Sequence, residues 1–529
     1  MGAQLWLGAE IVTMDSERPR ARSLLVRDGV VEYVGSEEQA RARARAEGGD
    51  AELREARGLA IVPGFNDNHV HAVYMGDNAL AVDLAGLDER QVVARLRDRF
   101  PSPGRGEIVR AFNWDYPSCP DPRKELLDEA FPRNAVILSQ FSGHAQWLNS
   151  VALSSIGITR RGGDPRPGPG RPVPCVLRDP DGEPTGVVRD LGDTRLSRRR
   201  VLDLFYNPRL RDERLELAFR TFASLGVTSI QDNTWFYPEL FSLKRRLREG
   251  SLTARMSCWS LGRRWSSTPA IRLGLALGLG DRDWIRPGPV KFFLDGTFST
   301  RNACLSEPFE GERPGSCPDP AAPLGELESL ARRGLQGAFH IIGDRGIAIF
   351  LDAYEKVLAR HPGMVSLRMR IEHAQLVRAE DMSRLRELGV LVSAQPSAMA
   401  TPVKDEALLG RKRALRAYPY RSLLDSGVQL SFGSDIPGET GCDPIRSIHM
   451  AVNREGPERI SAEEALRCYT VGSAYAEFME DRKGMLKEGM LADFAVLSQD
   501  LTKVPKERIG DTVVLETVVG GRTVYLRGR

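Results

Sequence analysis

Short apolar runs recur through the middle of the chain, and a loop and then a helical pattern of apolar and polar positions follow most of them. Runs of this length, bounded by polar loops, favour buried strands over helices. They span 61–71, 227–232, 254–261, 290–295, 335–342, 367–374, 389–395 and 428–435. Repeated strand-then-helix units predict a parallel sheet, and eight of them predict an α/β fold with a distorted (β/α)8 barrel.

Helical patterning fills several of the spaces between these runs. Its clearest stretches are 212–225, 347–361 and 379–388, where apolar residues recur every three or four positions. Each stretch neighbours a predicted strand along the chain, as a parallel sheet with crossover helices requires.

The two ends of the chain have a different pattern, in which apolar and polar residues alternate and glycines mark the corners. Alternation with a period of two predicts half-buried strands. These stretches are 11–14, 23–29, 30–36 and 59–64 near the start, and 493–498, 512–521 and 523–528 near the end. We therefore expect a composite β-sandwich built from residues 1–60 and 485–529.

The first and second predicted barrel strands are separated by roughly 150 residues, far more than a crossover between strands needs. Part of this gap, residues 160–174, is rich in proline and glycine and predicts a loop or hairpin tip. We expect residues 76–205 to form an inserted cap subdomain. The barrel would then consist of residues 61–75 and 206–484.

The composition is that of an ordinary globular protein and excludes several classes of partner. Of 529 residues, 41% are hydrophobic and 27% are charged, and the formal net charge is +3. No long basic block is interleaved with aromatic residues, so we expect no nucleic-acid partner, and the short run 197–200 predicts a solvated helix start. No apolar run approaches the roughly 20 residues of a membrane span, so we expect no membrane partner.

The seven cysteines are scattered along the chain, and no CxxC pair occurs. An odd number without a spacing pattern predicts reduced thiols, with neither a disulfide nor a zinc-thiolate site. The N-terminus also lacks a basic start followed by a long apolar stretch, so it does not resemble a signal peptide. These features predict a cytoplasmic protein.

Two of the seven histidines, His69 and His71, stand one residue apart at the end of the first predicted barrel strand. Residues two apart on a strand point to the same side, so both rings are expected to project into the barrel. The active sites of such barrels lie at this end of the strands. A short HxH pattern alone is equally consistent with a metal site and with two core histidines bonded to their neighbours.

Further polar groups fall at the matching ends of later strands. Lys291 lies on the fourth predicted strand, His340 near the end of the fifth, His373 at the end of the sixth and Asp435 at the end of the eighth. Burying such groups together is unfavourable unless something pairs them, and a pair of divalent metal ions would do so. Imidazole and carboxylate suit zinc, and also manganese, iron or nickel. A lysine ammonium cannot ligate beside two cations, so Lys291 is either a CO2-derived carbamate that bridges the metals, or neutral, or paired elsewhere.

Several segments together, in chain order, resemble one known family. They are AEIVTMD, VRDGVVEYVGS, VPGFNDNHVH, GHAQWLNSVAL, RDPDGEPTGVVRD, VKFFLDGTFSTRNACL, HIIGDR, RIEHAQ, FGSDIP and GMLKEGMLADFAVLSQD. The chain is similar to the amidohydrolase superfamily, specifically the YtcJ-like metal-dependent hydrolases of amidohydrolase family 3, a group that includes N-substituted formamide deformylase. Asn66 and Asn68 depart from the acidic or small residues common there, but neither departure removes a ligand.

This resemblance implies the composite β-sandwich, the distorted barrel, the inserted cap and a binuclear metal centre. Carried over by position, the family's metal ligands fall on His69, His71 and Asp435 for one metal, His340 and His373 for the second, and Lys291 as the bridge. Some members keep only one metal, and the later histidine then contacts the substrate. Relatives are often homodimers, which we expect here as well.

The resemblance also implies hydrolysis of a C–N bond in a small molecule, with a formamide or another N-acyl compound as the first expectation. Asp435 is the candidate base that takes a proton from a metal-activated water. If the second metal is absent, His373 is the candidate group that polarises the carbonyl. The candidates for substrate binding are Trp114, Asp115, His144, Arg345 and Gln375.

Two alternatives stay open. A deaminase of a nitrogen heterocycle would use the same attack by water on a C=N carbon and would release ammonia. A non-catalytic assembly protein, as found in this superfamily, would have lost its metal ligands. All six ligand positions are filled here, which favours an enzyme.

Overall fold

The computed structural model describes residues 2–46, 51–162, 165, 174–191, 206–233, 238–262, 272–279, 281–311, 317–400, 402–439 and 441–528. The strands within these ranges form three sheets. Most of the proline- and glycine-rich stretch 160–174, and the whole of the basic run 197–200, lie outside the described residues.

The central sheet has eight parallel strands, which neighbour one another in the order in which they follow along the chain. They span Phe65–Val70, Val227–Asp232, Arg255–Leu261, Ile285–Phe293, Gly337–Ile341, Arg370–His373, Leu391–Ala394 and Leu430–Phe432. The segment after the eighth strand returns to the first, because the Asp435 amide donates to the His69 carbonyl at 2.7 Å and the His71 amide donates to the Ile436 carbonyl at 2.9 Å. The predicted α/β barrel is confirmed as a nearly closed parallel barrel.

The first predicted strand, 61–71, is divided between two sheets, which corrects the prediction. Ala60–Pro63 pairs with a strand from the C-terminal end of the chain, and only Phe65–Val70 enters the barrel. Gly64 separates them at a point where an added Cβ would lie 2.2 Å from side-chain atoms of Thr228, so no larger residue fits there. Apolar residues continue through both strands, so the hydrophobic pattern alone merges them.

Strands from both ends of the chain lie in one outer sheet. They span Gln4–Val12, Arg20–Arg27, Val30–Gly35, Glu52–Glu55, Ala60–Pro63, Phe494–Leu497, Val514–Val519 and Arg522–Leu526. Trp6 packs edge-on against Phe494 with ring centroids 5.3 Å apart, so the two ends share one core. The β-sandwich and its bounds stay predictions.

The third sheet has six strands, all drawn from the long gap between the first two barrel strands. They span Val82–Asp83, Val109–Trp114, Val136–Gln140, Ala145–Leu148, Cys175–Arg178 and Pro184–Arg189. Its core includes two fully buried tryptophans, Trp114 and Trp147. We call this element the inserted sheet; the predicted domain bounds and the role as a cap stay predictions.

The helices occupy the connections between strands. The α-helices span Glu37–Ala46, Ala72–Ala79, Glu89–Arg99, Lys124–Ala130, Ser150–Ser155, Pro208–Ser224, Glu239–Arg248, Ala322–Arg333, Asp344–Arg360, Ala379–Glu387, Pro402–Leu409, Arg411–Ala414, Tyr420–Asp425, Pro444–Asn453, Ala462–Arg467 and Ser473–Ala476. Shorter 3₁₀ and π turns span Leu275–Leu279, Pro362–Leu367, Pro396–Ala400, Cys468–Gly472 and Lys506–Asp511. Among the described residues, no helix is sufficiently long and apolar to span a lipid bilayer.

The helix predicted over 212–225 begins four residues earlier, as Pro208–Ser224. The side chain of Asn207 caps it by accepting a hydrogen bond from the Leu210 amide, and proline occupies the first helical turn. An asparagine followed by a proline is a start signal that apolar periodicity does not reveal. The other two predicted helices lie within three residues of their expected starts.

The prediction that every cysteine is a free thiol is wrong. Cys304 and Cys317 form a disulfide, with Cα atoms 4.9 Å apart. The Cys304 amide also donates to Asp295 Oδ2 at 3.0 Å, so the loop after the fourth barrel strand folds back on its own start. Such a pairing depends on the path of the loop, and the spacing of the cysteines gives no signal for it. The free cysteines are Cys119, Cys175, Cys258, Cys442 and Cys468.

Candidate metal centre

Three predicted ligands meet at the C-terminal end of the barrel. His69 lies on the first barrel strand, and His71 directly follows that strand at the start of the helix Ala72–Ala79. The Nε2 atoms of the two rings lie 3.4 and 3.3 Å from Asp435 Oδ1. Within the described ranges these side chains are the only group whose three ligand atoms all lie within 4.8 Å of one another. Two imidazoles and a carboxylate in this arrangement are a donor set for a divalent metal.

Asp435 reaches the histidines from an unusual backbone conformation. It follows the eighth strand with φ at 55°, in the left-handed region, which for a residue other than glycine costs about 1–3 kcal/mol. The hydrogen bond from the Asp435 backbone amide to the His69 carbonyl stabilises this conformation. Burial favours the neutral carboxyl, but His69, His71 and His373 hold the pKa of Asp435 well below its usual range. The side chain is therefore an anion, as a metal ligand must be.

A buried carboxylate orients His69. The Nδ1 of His69 donates to Glu372 Oε2 at 2.7 Å, so its Nε2 is the atom that faces Asp435. Arg370 donates to Glu372 Oε1 at 2.9 Å and to the Asn68 carbonyl at 3.1 Å. Burial disfavours the charge on Glu372, but Arg370 and His69 hold its pKa below the usual range. The centre is thus anchored by an ion pair in the barrel interior.

His373 presents an unpartnered nitrogen to the same space. Its Nδ1 donates to Gln395 Oε1 at 2.7 Å, which leaves the lone pair on Nε2. That Nε2 is buried and has no hydrogen-bond partner among the described residues, an unfavourable arrangement unless a ligand pairs with it. Burial lowers the pKa of His373 to about 3, so the ring is neutral. A divalent metal fits this orphaned nitrogen.

His340 lies beside His373, with ring centroids 4.3 Å apart. Its Nε2 donates to the Gly296 carbonyl at 3.2 Å, so Nδ1 is the nitrogen left to act as a ligand. Burial and the neighbouring His373 hold the pKa of His340 well below its usual value. His340 and His373 are therefore two neutral imidazoles side by side, each with one nitrogen held by the protein.

Lys291 lies on the fourth strand and is 2% exposed. Its Nζ lies 3.5 Å from His69 Nε2 and 5.1 Å from the centroid of the Phe293 ring. Burial lowers the pKa of Lys291 to about 8, which increases the fraction of neutral amine at neutral pH. A neutral amine is the form that reacts with CO2, so the environment suits a carbamate, which stays a prediction.

A cleft of about 310 Å³ opens onto these groups. His340, His373 and Asp435 line it from the barrel, and Asp115 and His144 line it from loops of the inserted sheet. A concave site of this volume suits a small molecule.

The structure brings three of the five predicted substrate-binding residues to the cleft. They are Asp115, His144 and Gln375. Trp114 is instead fully buried in the core of the inserted sheet, where its Nε1 donates to the Leu138 carbonyl at 2.9 Å. Arg345 is exposed in the first turn of a barrel helix and is not among the residues that line the cleft.

Residues 52–525 match the Amidohydrolase family. The chain is a member of that family. The match covers all eight barrel strands, the inserted sheet and the part of the outer sheet that follows Val30–Gly35, so it includes every predicted metal ligand. The resemblance drawn from the sequence motifs is therefore confirmed.

Individual relatives match along almost the whole chain. The putative amidohydrolase YtcJ of Bacillus subtilis is 29% identical, with 98% of this chain and 99% of that protein covered. N-substituted formamide deformylase of Arthrobacter pascens is 28% identical, with 98% of each chain covered. An uncharacterised metal-dependent hydrolase of Pyrococcus furiosus has the same fold, with a TM-score of 0.69 and 28% identity over 94% of this chain and 99% of that one.

Family membership and the barrel geometry together support a hydrolase that works with a divalent metal. The identity of the metal, the presence of a second ion and the carbamate stay predictions.

Sequence reasoning missed the residues that hold the ligands in place. Glu372 stands beside His373 in the motif RIEHAQ and shares a strand face with Arg370, so an ion pair two residues apart was readable. Gln395 directly follows the seventh strand, at the same end of the barrel as the ligands, and this position is a signal that would have predicted a role at the site. Lys404, whose Nζ lies 3.0 Å from Asp115 Oδ2, comes from a distant helix and has no local signal.

Proposed function

We propose that this protein hydrolyses the C–N bond of a small amide, with N-substituted formamides as the first candidates. The observation that carries the proposal is the convergence of His69, His71 and Asp435 beside the unpartnered Nε2 of His373. The 28% identity to N-substituted formamide deformylase over 98% of both chains supports the choice of substrate class.

His69, His71 and Asp435 would hold the first divalent metal, with zinc as the first candidate and manganese, iron or nickel as the others. A metal at this position would lower the pKa of a bound water to near neutrality. His340, through Nδ1, and His373, through Nε2, would hold a second ion if one binds. A carbamate on Lys291 would supply the bridge between the two positions.

The residues of the chain move the proton. The Asp435 carboxylate would take the proton of the attacking water as the new C–O bond forms at the carbonyl carbon. The C–N bond would then break, its electron pair would pass to nitrogen, and Asp435 would return the proton to that nitrogen. The predicted role of His373 in a one-metal centre, to polarise the substrate carbonyl, would require a hydrogen on Nε2. The bond to Gln395 places that hydrogen on Nδ1, so the arrangement favours His373 as a metal ligand over a carbonyl-polarising group.

Side chains of the barrel hold His69 and His373 in fixed orientations before the substrate binds. Glu372 fixes the orientation of His69, and Gln395 fixes that of His373. Side chains held in this way need little rearrangement during the reaction, which is the basis of electrostatic preorganisation.

The test is product analysis with the metal-loaded protein and a panel of N-alkylformamides and amino-substituted nitrogen heterocycles. Release of formate and the amine, abolished by chelation and by Asp435→Asn, would support the proposal. Ammonia release from the heterocycles alone would support a deaminase instead. A metal-loaded protein that turns over neither class would contradict the proposal and favour the non-catalytic alternative.

A further inference from the structure

His144 faces the metal ligands from the opposite wall of the cleft. It lies immediately before the strand Ala145–Leu148 of the inserted sheet, and its ring centroid is 5.3 Å from that of His340. Its side chain is 17% exposed and lines the cleft. A substrate that reaches the barrel ligands therefore passes next to this imidazole.

A buried carboxylate holds one nitrogen of the ring. His144 Nδ1 lies 2.7 Å from Asp190 Oδ1, and the Asp190 amide donates to the His144 carbonyl at 2.7 Å. Asp190 is 9% exposed and has φ at 50°, so its backbone adopts the left-handed conformation. Side chain and backbone thus connect the same two residues, and this double contact restricts the rotation of the ring.

The hydrogen-bond chain continues into the barrel and decides which nitrogen carries the proton. Asn302 Oδ1 accepts from the Thr297 amide at 2.9 Å and from the Thr300 hydroxyl at 2.5 Å. This fixes the orientation of the amide group, so Asn302 Nδ2 donates to Asp190 Oδ2. Asp190 is then an acceptor on both oxygens, and the hydrogen between Asp190 and His144 belongs to Nδ1 of the imidazole.

The loop that contains Asn302 also contacts His340 on the barrel wall of the cleft. Gly296, whose carbonyl accepts from His340 Nε2, stands one residue before Thr297. Asp295 ties this loop to the fifth strand by accepting from the Ile342 amide at 2.9 Å and the Gly343 amide at 2.8 Å. The orientations of His340 and His144 therefore both depend on hydrogen bonds from one segment, residues 295–302.

In the neutral ring, a proton on Nδ1 makes Nε2 a hydrogen-bond acceptor. No hydrogen bond from another described residue reaches this Nε2. An acceptor at the cleft, beside the groups that would attack the carbonyl, needs a donor from the substrate. An amide offers one such donor next to its carbonyl, which is the hydrogen on its nitrogen.

We propose that His144 Nε2 accepts a hydrogen bond from the N–H of the scissile amide, so that the protein selects amides whose nitrogen carries a hydrogen over N,N-disubstituted ones. This inference rests on the proposed function and adds a substrate class to it. His144 is a substrate-contacting residue in this account, and Asp190 and Asn302 are positioning residues.

The experiment compares N-butylformamide with N-butyl-N-methylformamide, in which a methyl group replaces the hydrogen on nitrogen. We expect wild-type kcat/KM, corrected for the alkaline hydrolysis rate of each amide, to favour the secondary amide by about tenfold or more, the effect of one hydrogen bond. His144→Phe keeps a ring but removes the acceptor, so kcat/KM for the secondary amide should fall toward that of the tertiary one. The tertiary amide should change by less than about threefold, since it makes no such bond.

Asp190→Asn provides a second variant, because it exchanges an obligatory acceptor for a group that can donate to Nδ1. The hydrogen would then move to Nε2, and the preference for the secondary amide should be lost although the imidazole remains. His361→Phe is the matched control: His361 lies at a helix end and pairs with Glu328 at 3.0 Å on the surface, so the preference should be unchanged.

The outcomes separate the inference from the function on which it rests. Equal wild-type values for the two amides, or a preference that survives in His144→Phe, would overturn the inference alone. A His144→Phe protein that loses bound metal would also overturn it, because the ring would then be a ligand. Absence of turnover of every amide by the wild-type protein would overturn the proposed function. Loss of the preference in both variants, with metal content and folding retained, is the expected result.

Discussion

The two walls of the cleft hold their polar side chains in different ways. On the barrel wall, two buried side chains orient the ligand histidines. Glu372, on the sixth strand, accepts a hydrogen bond from His69, and Gln395, directly after the seventh strand, accepts one from His373. By contrast, Asp115, in a loop of the inserted sheet, pairs with Lys404 of the helix Pro402–Leu409 at 3.0 Å, and the two side chains are 24% and 16% exposed. The comparison indicates that the buried contacts fix the orientation of the ligand histidines, whereas the Asp115–Lys404 pair can change with little effect on folding.

This difference has a physical origin. The parallel barrel strands all end at the same face of the barrel. Side chains that are far apart in sequence therefore lie close together there, on backbone that the sheet holds in place. The pair between Asp115 and Lys404 joins a loop of the inserted sheet to the helix Pro402–Leu409, and water reaches both side chains. Water-exposed ion pairs contribute little to stability, so these two positions are suited to variation in specificity.

The largest effect should follow from Asp435→Asn, on the barrel wall. The variant keeps the shape of the side chain but removes the anion that takes the proton from water. We expect kcat for an N-alkylformamide to fall by about 10²–10⁴-fold, as for loss of a general base. Metal content measured on the same preparation separates loss of the base from loss of the ion. A decrease of less than tenfold with metal retained would contradict the role of Asp435.

The second effect should follow from Glu372→Gln, which acts through His69. We expect zinc affinity to fall by about 10–100-fold, because the carboxylate that orients the ligand ring is lost. Competition with a chromogenic chelator measures this change. Glu328→Gln is the matched control, because Glu328 also pairs with a histidine, but at the surface and far from the centre. Equal affinities in Glu372→Gln and the wild type would show that the barrel wall is not preorganised as described.

The third effect concerns pH. Because burial lowers the pKa of His373 to about 3, the unfolded chain binds a proton at this side chain between about pH 6.5 and 3 and the folded chain does not. The contribution of His373 to stability is therefore present above pH 6.5 and is lost as the pH falls. We expect the free energy of unfolding of the metal-free protein to fall between pH 6 and 4 by about 1.4 kcal/mol per pH unit more than that of His373→Asn.

Urea unfolding of both proteins across this range measures the difference. Comparison with the variant is needed because other buried groups have shifts of the opposite sign. Burial raises the pKa of both Asp67 and Asp295 to about 7, so these carboxyls favour folding at lower pH. Parallel pH profiles for the wild type and His373→Asn would contradict a neutral, buried His373.

The smallest effect should follow from Lys404→Ala, which removes the ion pair with Asp115. We expect the free energy of unfolding to change by less than about 1 kcal/mol, the usual range for a partly exposed ion pair. A change in KM without a change in kcat would place Lys404 among the groups that select the substrate. A large loss of stability would contradict the conclusion that the Asp115–Lys404 pair contributes little to folding.

Much of this architecture was readable from the sequence because it depends on local periodicity. Short apolar runs predicted the barrel strands, and polar residues at their ends predicted that His69, His71 and Asp435 meet. The division at Gly64 was not readable, because the apolar pattern continues across it while the strands enter different sheets.

Features set by loops and by strand faces were harder to predict. The disulfide between Cys304 and Cys317 depends on a loop that folds back, and a spacing of 13 residues carries no signal for it. Trp114 and Asp115 are neighbours in sequence, but the first faces the core of the inserted sheet and the second faces the cleft. Adjacent residues at a strand end point to opposite sides, so the pair could not both line the site.

The most direct test of the metal centre and of the proposed hydrolysis is the metal content of the protein purified without a chelator, measured by mass spectrometry together with formate release from N-butylformamide. We predict one or two divalent ions per chain, a sharp fall in metal and activity in His71→Asn, and recovery of wild-type activity when zinc is added after chelation. If the wild-type protein binds no divalent metal, even after incubation with zinc or manganese and bicarbonate, the centre described here is contradicted.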